Sequence, residues 1–202
     1  MIALLIDDHP FVRDGLAVCL EETGYIREMG LAASLYEARH FIENAVTLPS
    51  IVILDILLKE EDGLSFLPFL NTFCQEKNLK MPPVLICSVL EDPFRIKTAL
   101  KLGAMGYISK SSGKHELLNA INTLIKGEIY LSGEHQKILK DFSETYSYFT
   151  KRELDVLNLI KQYKTNHDIS KMLCINKRTV ENHISNIYFK TGATTRQDLM
   201  KL

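Results

Sequence analysis

The 202-residue chain predicts an α/β domain built on a doubly wound, five-stranded parallel sheet, followed by a smaller all-α domain. Three observations carry that prediction. Short apolar runs alternate with stretches of helical spacing over the first 126 residues. Five chemically capable side chains stand at the ends of those runs. Charge also divides unevenly: residues 1–148 hold 14 Lys/Arg against 20 Asp/Glu, and residues 149–202 hold 10 against 5, in a chain of net charge −1. An acidic front and a basic tail point to two domains with different partners, the second favouring a polyanion.

Residues 2–6 (IALLI) read as a buried parallel strand ending at Asp7 and Asp8. Pro10 suits the first turn of a helix over 10–23, where a missing N–H costs nothing, and Gly24 suits its end. A weaker strand (26–32) and a helix (35–46) come next. The run IVIL (51–54) ends at Asp55 and leads to a helix over 64–76. VLIC (84–87) ends at Ser88, and Pro93 opens a helix over 94–103 that Gly103 closes. The strand 106–108 precedes Lys110 and a last helix, 114–126. Five βα units in this order give a doubly wound sheet with right-handed crossovers. Residues 127–148 break the alternation and read as a linker, with a short helix from Ser132 to about Asp141. From Thr150 onward four helices are expected: 151–162, 166–173, 177–190 and 196–201.

Composition narrows the function classes. Cys19, Cys74, Cys87 and Cys174 are scattered, with no spacing suited to zinc, so reduced thiols and a cytoplasmic setting are expected. The opening MIALLI lacks a basic lead and runs into two aspartates, unlike a targeting segment. No apolar run approaches the roughly 20 residues of a membrane span, so no membrane partner is expected.

In an open parallel sheet the carboxyl ends of the strands line one crevice, where ligands bind. Asp7, Asp8, Asp55, Ser88 and Lys110 would meet there. Mg²⁺ takes oxygen ligands, usually one or two carboxylates with waters and phosphate oxygens. Asp8 and Asp55 suit it best, with Asp7 close by or acting through water and the Leu57 carbonyl completing the shell. Asp55 can also attack a phosphoryl donor to form an aspartyl phosphate, with Ser88 and Lys110 holding the new oxygens. Each aspartate alone reads more readily as a turn former or helix cap. The five together favour a site. A Mg²⁺-dependent phosphatase with Asp7 as nucleophile would instead want the D-x-D spacing that is missing here. His9, beside the acidic pair, is expected to face solvent.

With an acidic pair after the first strand, Asp55 after the third, Ser88 after the fourth and Tyr107-x-x-Lys110 around the fifth, residues 1–126 resemble a two-component receiver domain. The resemblance implies a flavodoxin-like strand order, 2-1-3-4-5, and phosphoryl transfer from a sensor histidine kinase to Asp55. It further implies a switch in which Ser88 moves toward the phosphoryl group and Tyr107 rotates inward behind it. Taken alone, Tyr107 reads as a packed strand aromatic. Val89 stands where many receivers have a smaller residue, narrowing access to the phosphoryl group. Ser111 follows Lys110 where proline is commoner.

In the basic tail, Thr150-Lys-Arg-Glu153 forms a capping box ahead of an apolar face of Leu154, Val156, Leu157 and Ile160. Thr165-Asn-His-Asp168 is a second cap. A short turn at Cys174–Ile175 and the N-cap Asn176 then introduce a helix with Val180, Ile184, Ile187 and Tyr188 on one face, which makes a helix-turn-helix. Its other face carries Arg178, Glu181, Asn182 and Ser185, flanked by Lys177, Lys190 and Arg196. A surface of this kind could enter a major groove while the basic residues grip phosphates, and a solvated face has the same periodicity. Residues 149–202 resemble the LuxR-type output domain through Thr150, Arg152–Glu153, Val156–Leu157, Thr179–Val180, His183, Asn186–Ile187, Lys190, Gly192 and Arg196. The resemblance makes Lys177, Arg178, Thr179, Glu181, Asn182, His183, Ser185, Lys190 and Arg196 the DNA-binding set, with Glu181, Asn182 and Ser185 at base edges. Three departures stand out. Glu181 replaces a common Lys, the usual Gly is missing near Tyr163–Lys164, and the last helix is short.

Together the two resemblances imply the NarL/FixJ response-regulator architecture. They imply a phosphorylation-dependent transcription regulator that uses Mg²⁺, is not an enzyme beyond loading and losing its own phosphoryl group, and binds double-stranded DNA as a homodimer. RNA polymerase is a candidate further partner. The alternative is a DNA-binding regulator independent of phosphorylation, controlled by a protein partner or by abundance.

Overall fold

The computed structural model describes residues 1–22, 24, 26–59, 61–145 and 148–202; the expected end of the first helix at 23 and positions 146–147 of the expected linker lie outside them. Two compact units are present, Met1–Lys140 and Asp141–Leu202.

The first unit is a parallel sheet in the order β2-β1-β3-β4-β5-β6. Its strands are β1 (Ile2–Ile6), β2 (Glu28–Ala32), β3 (Ile51–Leu54), β4 (Val84–Ser88), β5 (Gly106–Ser109) and β6 (Tyr130–Leu131). Between them run α1 (Pro10–Glu21), α2 (Leu35–Asn44), α3 (Phe66–Glu76), α4 (Pro93–Lys101) and α5 (Lys114–Ile125), and α6 (Gly133–Thr145) follows β6. The expected order of the first five strands holds. The sixth strand is the difference: Tyr130 and Leu131 pair with Gly106 and Tyr107, so β6 joins the helix expected from Ser132, here α6, as another βα unit within the segment read as a linker. Two residues are too few for any periodicity to show. Pro10 and Pro93 open their helices, and Gly24 and Gly103 adopt the left-handed backbone after α1 and α4. No peptide bond among the described residues is cis.

Strand alternation divides the core in two. Leu4, Ile6, Val52, Leu54, Val84, Ile86 and Tyr107 face α2, α3 and α4, and α6 packs onto this side through Ile138 and Leu139. Ala3, Leu5, Ile51, Ile53, Leu85, Cys87 and Ile108 face α1 and α5. Each fully buried aliphatic side chain contributes about 2 kcal/mol. That burial fixes the strand register and, with it, the place of every residue at the carboxyl rim.

The second unit comprises α7 (Lys151–Lys161), α8 (Asn166–Met172), α9 (Lys177–Thr191) and α10 (Arg196–Met200). Val156, Leu157, Ile160, Ile169, Val180, Ile184, Ile187 and Leu199 are buried at its centre. The capping boxes expected at Thr150/Glu153 and Thr165/Asp168 are present, and Thr195/Asp198 forms a third on α10. Asn176 caps α9, its side chain accepting the Thr179 amide at 2.7 Å. Gly192 ends α9 with φ 70°, a conformation glycine adopts without steric cost. Tyr163 after α7 and Cys174 after α8 take the same left-handed backbone, with φ 58° and 52°.

Candidate functional site

At the carboxyl rim of the sheet, β1 delivers Asp7 and Asp8, β3 delivers Asp55, β4 ends on Ser88, and β5 leads to Lys110. The Lys110 ammonium ties two of these together, 2.7 Å from Asp7 Oδ2 and 2.6 Å from Asp55 Oδ2. Burial pulls the Lys110 pKa down, but the two carboxylates outweigh it and hold the amine above its ordinary value, so it stays charged. Asp55 is 2% exposed. Its second oxygen, Oδ1, accepts the Leu57 amide at 3.0 Å, which fixes the carboxylate on the loop after β3.

Asp8 lies beside this pair. Its Oδ2 accepts the Lys59 amide at 3.2 Å, and its Oδ1 is buried with no hydrogen-bond donor. The His9 imidazole, 60% exposed, stands 2.8 Å from that oxygen. Ligand atoms of Asp7, Asp8, His9 and Asp55 all lie within 4.8 Å of one another. Converging carboxylate oxygens, one of them unsatisfied, fit a hard divalent cation such as Mg²⁺. His9 reaches solvent as the sequence suggests, yet also pairs with the acidic cluster.

Ser88 is fully buried, and its Oγ accepts the Leu90 amide at 3.3 Å. Tyr107 is also fully buried, and its hydroxyl donates to the Leu90 carbonyl at 2.5 Å. Burial raises the phenol pKa, against a pull from the neighbouring Ser88 hydroxyl and Arg95. Cys87, which sits between the rim and the core, is pushed up to about 12 by burial and is an inert thiol.

Three residues at this rim escape sequence reasoning. Arg13 donates to the Asp7 carbonyl at 2.7 Å. Gly63 packs so closely on the loop that a Cβ there would land on the Asp55 carbonyl oxygen. His135, on α6, meets the Tyr107 ring. Only Gly63 leaves a trace in the sequence, an Asp-Gly turn signal at 62–63.

In the second unit, α9 presents Lys177, Arg178, Glu181, Asn182, Ser185, Asn186 and Phe189 outward, while Thr179, His183 and Lys190 are half-buried. Thr179 bonds the capping Asn176, its hydroxyl 2.9 Å from Asn176 Oδ1. Two of the expected phosphate grips turn inward. Lys190 donates to Glu153 at 2.6 Å and to the Tyr148 carbonyl at 3.0 Å. Arg196 donates to Asn166 at 2.8 Å and to the Lys164 carbonyl at 2.6 Å. Their charges close the helical bundle because the orphan carbonyls and the buried Glu153 need donors. Arg152 does likewise, donating to the Leu173 carbonyl at 2.5 Å. Burial pushes the Glu153 pKa up, but Lys190 and Thr150 together hold it below the usual carboxylate range.

Among the described residues, no helix is long and apolar enough to cross a membrane. The chain matches the response regulator receiver domain over residues 3–122 and the bacterial regulatory proteins of the luxR family over residues 147–202. It is 33% identical over 201 residues to the transcriptional regulatory protein LiaR of Bacillus subtilis (strain 168), covering 96% of this chain and 92% of LiaR. It is 32% identical over 200 residues to the transcriptional regulatory protein MctR of Rhizobium johnstonii, covering 98% of this chain and 90% of MctR. RcsB from Salmonella enterica serovar Typhimurium, solved bound to promoter rprA with the phosphomimetic BeF3⁻, superposes with a TM-score of 0.68 at 18% identity. That likeness spans 99% of this chain and 96% of RcsB, and it is a likeness of fold.

Proposed function

Because this chain belongs to the response regulators, with a receiver domain ahead of a luxR-family DNA-binding domain, we propose that phosphoryl transfer to Asp55 governs DNA binding by α9 and so regulates transcription. The observation that carries the reading is the buried Asp55 carboxylate paired with the Lys110 ammonium beside Asp7 and Asp8. That arrangement holds a nucleophile next to a fixed positive charge. A carboxylate oxygen of Asp55 attacks the phosphorus of a phosphohistidine on a sensor kinase. A P–O bond forms as the P–N bond breaks, and the imidazole leaves with the bonding pair. Lys110 exchanges its contact with Asp55 for one to a phosphoryl oxygen, and the Ser88 hydroxyl donates to another. Asp8, Asp55 and the Leu57 carbonyl, with Asp7 nearby, would hold Mg²⁺, which would supply further charge against the phosphoryl oxygens. The receiver thus loads and loses its own phosphoryl group and turns over no other substrate.

The exposed face of α9 supplies the DNA contacts. Asn182 can pair bidentately with adenine, and Glu181 can accept from cytosine N4, while Lys177 and Arg178 meet phosphates. With Lys190 and Arg196 engaged inside the unit, the free positive charge is modest, so specificity rests on base contacts and on two copies gripping two half-sites. The cytoplasm, where a kinase and DNA are both accessible, is the setting, and RNA polymerase is the further partner of such a regulator.

The test is retention of fragmented genomic DNA by the full chain, at fixed salt with Mg²⁺, with and without acetyl phosphate. Specific retention that rises with the donor, and fails to rise in Asp55→Asn, is expected. Specific retention that ignores the donor while Asp55 is demonstrably phosphorylated would replace this reading with control by a partner or by abundance.

A further inference from the structure

Tyr107 is held on two sides. Its hydroxyl bonds the Leu90 carbonyl, and its ring meets the His135 imidazole edge-on, with centroids 4.9 Å apart and planes at 67°. His135 belongs to the sixth βα unit, on α6, yet it is 1% exposed. Ser132 sets its orientation. The Ser132 hydroxyl accepts the His135 amide at 3.1 Å and lies 2.7 Å from His135 Nδ1, so one side chain both caps α6 and aims the ring. Beside it, β6 pairs Leu131 with Tyr107 itself, and Leu131, Ile138 and Leu139 pack on the core that contains Tyr107.

The imidazole has little reason of its own to be there. Its Nε2 is buried without a hydrogen-bond partner, which is a cost in a folded interior. Burial also lowers the ring's pKa, against the pull of Glu91, Glu134 and Glu116, so the ring sits neutral beside the phenol. Besides the Ser132 contact at Nδ1, what the ring gains is its interaction with Tyr107, with the backbone there and with the ring edge-on, an arrangement favoured by the quadrupoles of the two rings. Among the described residues His135 makes no ion pair or hydrogen bond with the acidic rim.

We propose that His135 is a positioning residue for the phosphorylation switch: from α6 it holds Tyr107 inward, behind Ser88, and thereby raises the receiver's affinity for a phosphoryl group on Asp55. This rests on Asp55 as phosphoacceptor, with Ser88 and Tyr107 moving inward in the phosphorylated arrangement. By reciprocity, any contact that favours the inward arrangement favours whatever that arrangement binds. The same reciprocity makes the docking of α6 respond to phosphorylation, and α6 is the element along which the chain leaves the first unit.

The experiment uses the full chain and measures beryllofluoride affinity with Mg²⁺, the rate of phosphorylation by acetyl phosphate, and thermal unfolding. His135→Ala should weaken beryllofluoride binding and slow phosphorylation by about three- to tenfold, the range an aromatic pair confers. His135→Phe, which keeps the ring contact and discards the bond to Ser132, should stay within about twofold of the parent. In a Tyr107→Ala background, His135→Ala should have no further effect on affinity. A lowered unfolding temperature with unchanged affinity would make His135 a structural anchor of α6 and overturn the proposal. If His135→Ala does not fold, His135→Leu, which fills the space without the aromatic edge, carries the comparison, and unchanged affinity there overturns it equally. A parent chain that takes neither beryllofluoride nor phosphate would remove the Asp55 reading itself, a result distinct from a parent that binds and a His135 variant that binds as well.

Discussion

The two units use their polar side chains in opposite ways. In the first, the residues of the receiver pattern converge with negative charge left over. Three carboxylates face one ammonium, which pairs with Asp7 and Asp55, while Asp8 Oδ1 meets only the exposed His9 imidazole, and the hydroxyl of Ser88 stands at the end of its strand. In the second, the residues of the LuxR pattern are satisfied. Thr150 and Glu153 cap α7, Lys190 closes on Glu153, Arg152 and Arg196 donate to carbonyls, and Thr179 bonds Asn176. A recognisable pattern therefore marks the proposed chemistry in one unit and mostly architecture in the other. In the second unit the polar residues left outward on α9 are mostly ones the pattern does not specify, Lys177, Arg178, Glu181, Asn182 and Ser185, with Asn186 the exception.

Substitutions sharpen this contrast. The largest effect is expected at Asp55: Asp55→Asn removes the proposed nucleophile, and intact-mass measurement after acetyl phosphate treatment should show no phosphoryl adduct while the fold persists. In the second unit, Lys190→Ala leaves the buried Glu153 charge without its partner and should cost about 3 kcal/mol in urea unfolding of that unit, with phosphoryl uptake unchanged. A loss of DNA binding from Lys190→Ala without loss of stability would break the comparison, because Lys190 would then be a DNA ligand. The same pair sets an acid response. The Glu153 pKa is held below its ordinary value of 4.5 in the fold, so its stabilisation is complete above that value and lost as pH falls through the lowered one. Acid unfolding followed by circular dichroism should lose this step in Glu153→Gln.

Effects on the outward face of α9 should be smaller and selective. Asn182→Ala is expected to cost about 1–3 kcal/mol for the preferred operator and to relax preference at one base position. Glu181→Lys should raise nonspecific affinity and steepen the salt dependence by about one phosphate contact, measured by titration at several salt concentrations. The smallest effect is a gain. Tyr163 sits in the left-handed region, which costs a side-chain-bearing residue about 1–2 kcal/mol, partly offset by the flexibility glycine adds to the unfolded chain. Tyr163→Gly should therefore stabilise the second unit by about 0.5–1 kcal/mol, read as a higher urea midpoint.

Much of this was legible in the residues. Apolar runs bounded by prolines and glycines located β1, β3, β4 and β5, because a strand buried on both faces has to be continuously apolar, whereas β2, with Glu28 and Leu31 exposed, gave the weaker signal. The capping boxes at Thr150 and Thr165 were readable for a related reason: a helix start needs specific donors and acceptors at fixed spacing. β6 was not readable, since two residues carry no period and Tyr130–Leu131 becomes a strand only because β5 offers an open edge.

The sequence by itself determined what acts through local spacing or strand alternation: the order of the elements, the helix starts, and which side chains end each strand. Only the tertiary structure decided how the polar groups pair. Lys110 could have faced solvent and instead bridges Asp7 and Asp55. Lys190 and Arg196 could have faced DNA and instead close the bundle. His135, 28 residues beyond Tyr107, became its neighbour through a sixth strand and a buried serine cap. Hydrogen bonds and ion pairs act over a few ångströms in space and are indifferent to distance along the chain, so their partners exist only once the core has brought the strands and helices together.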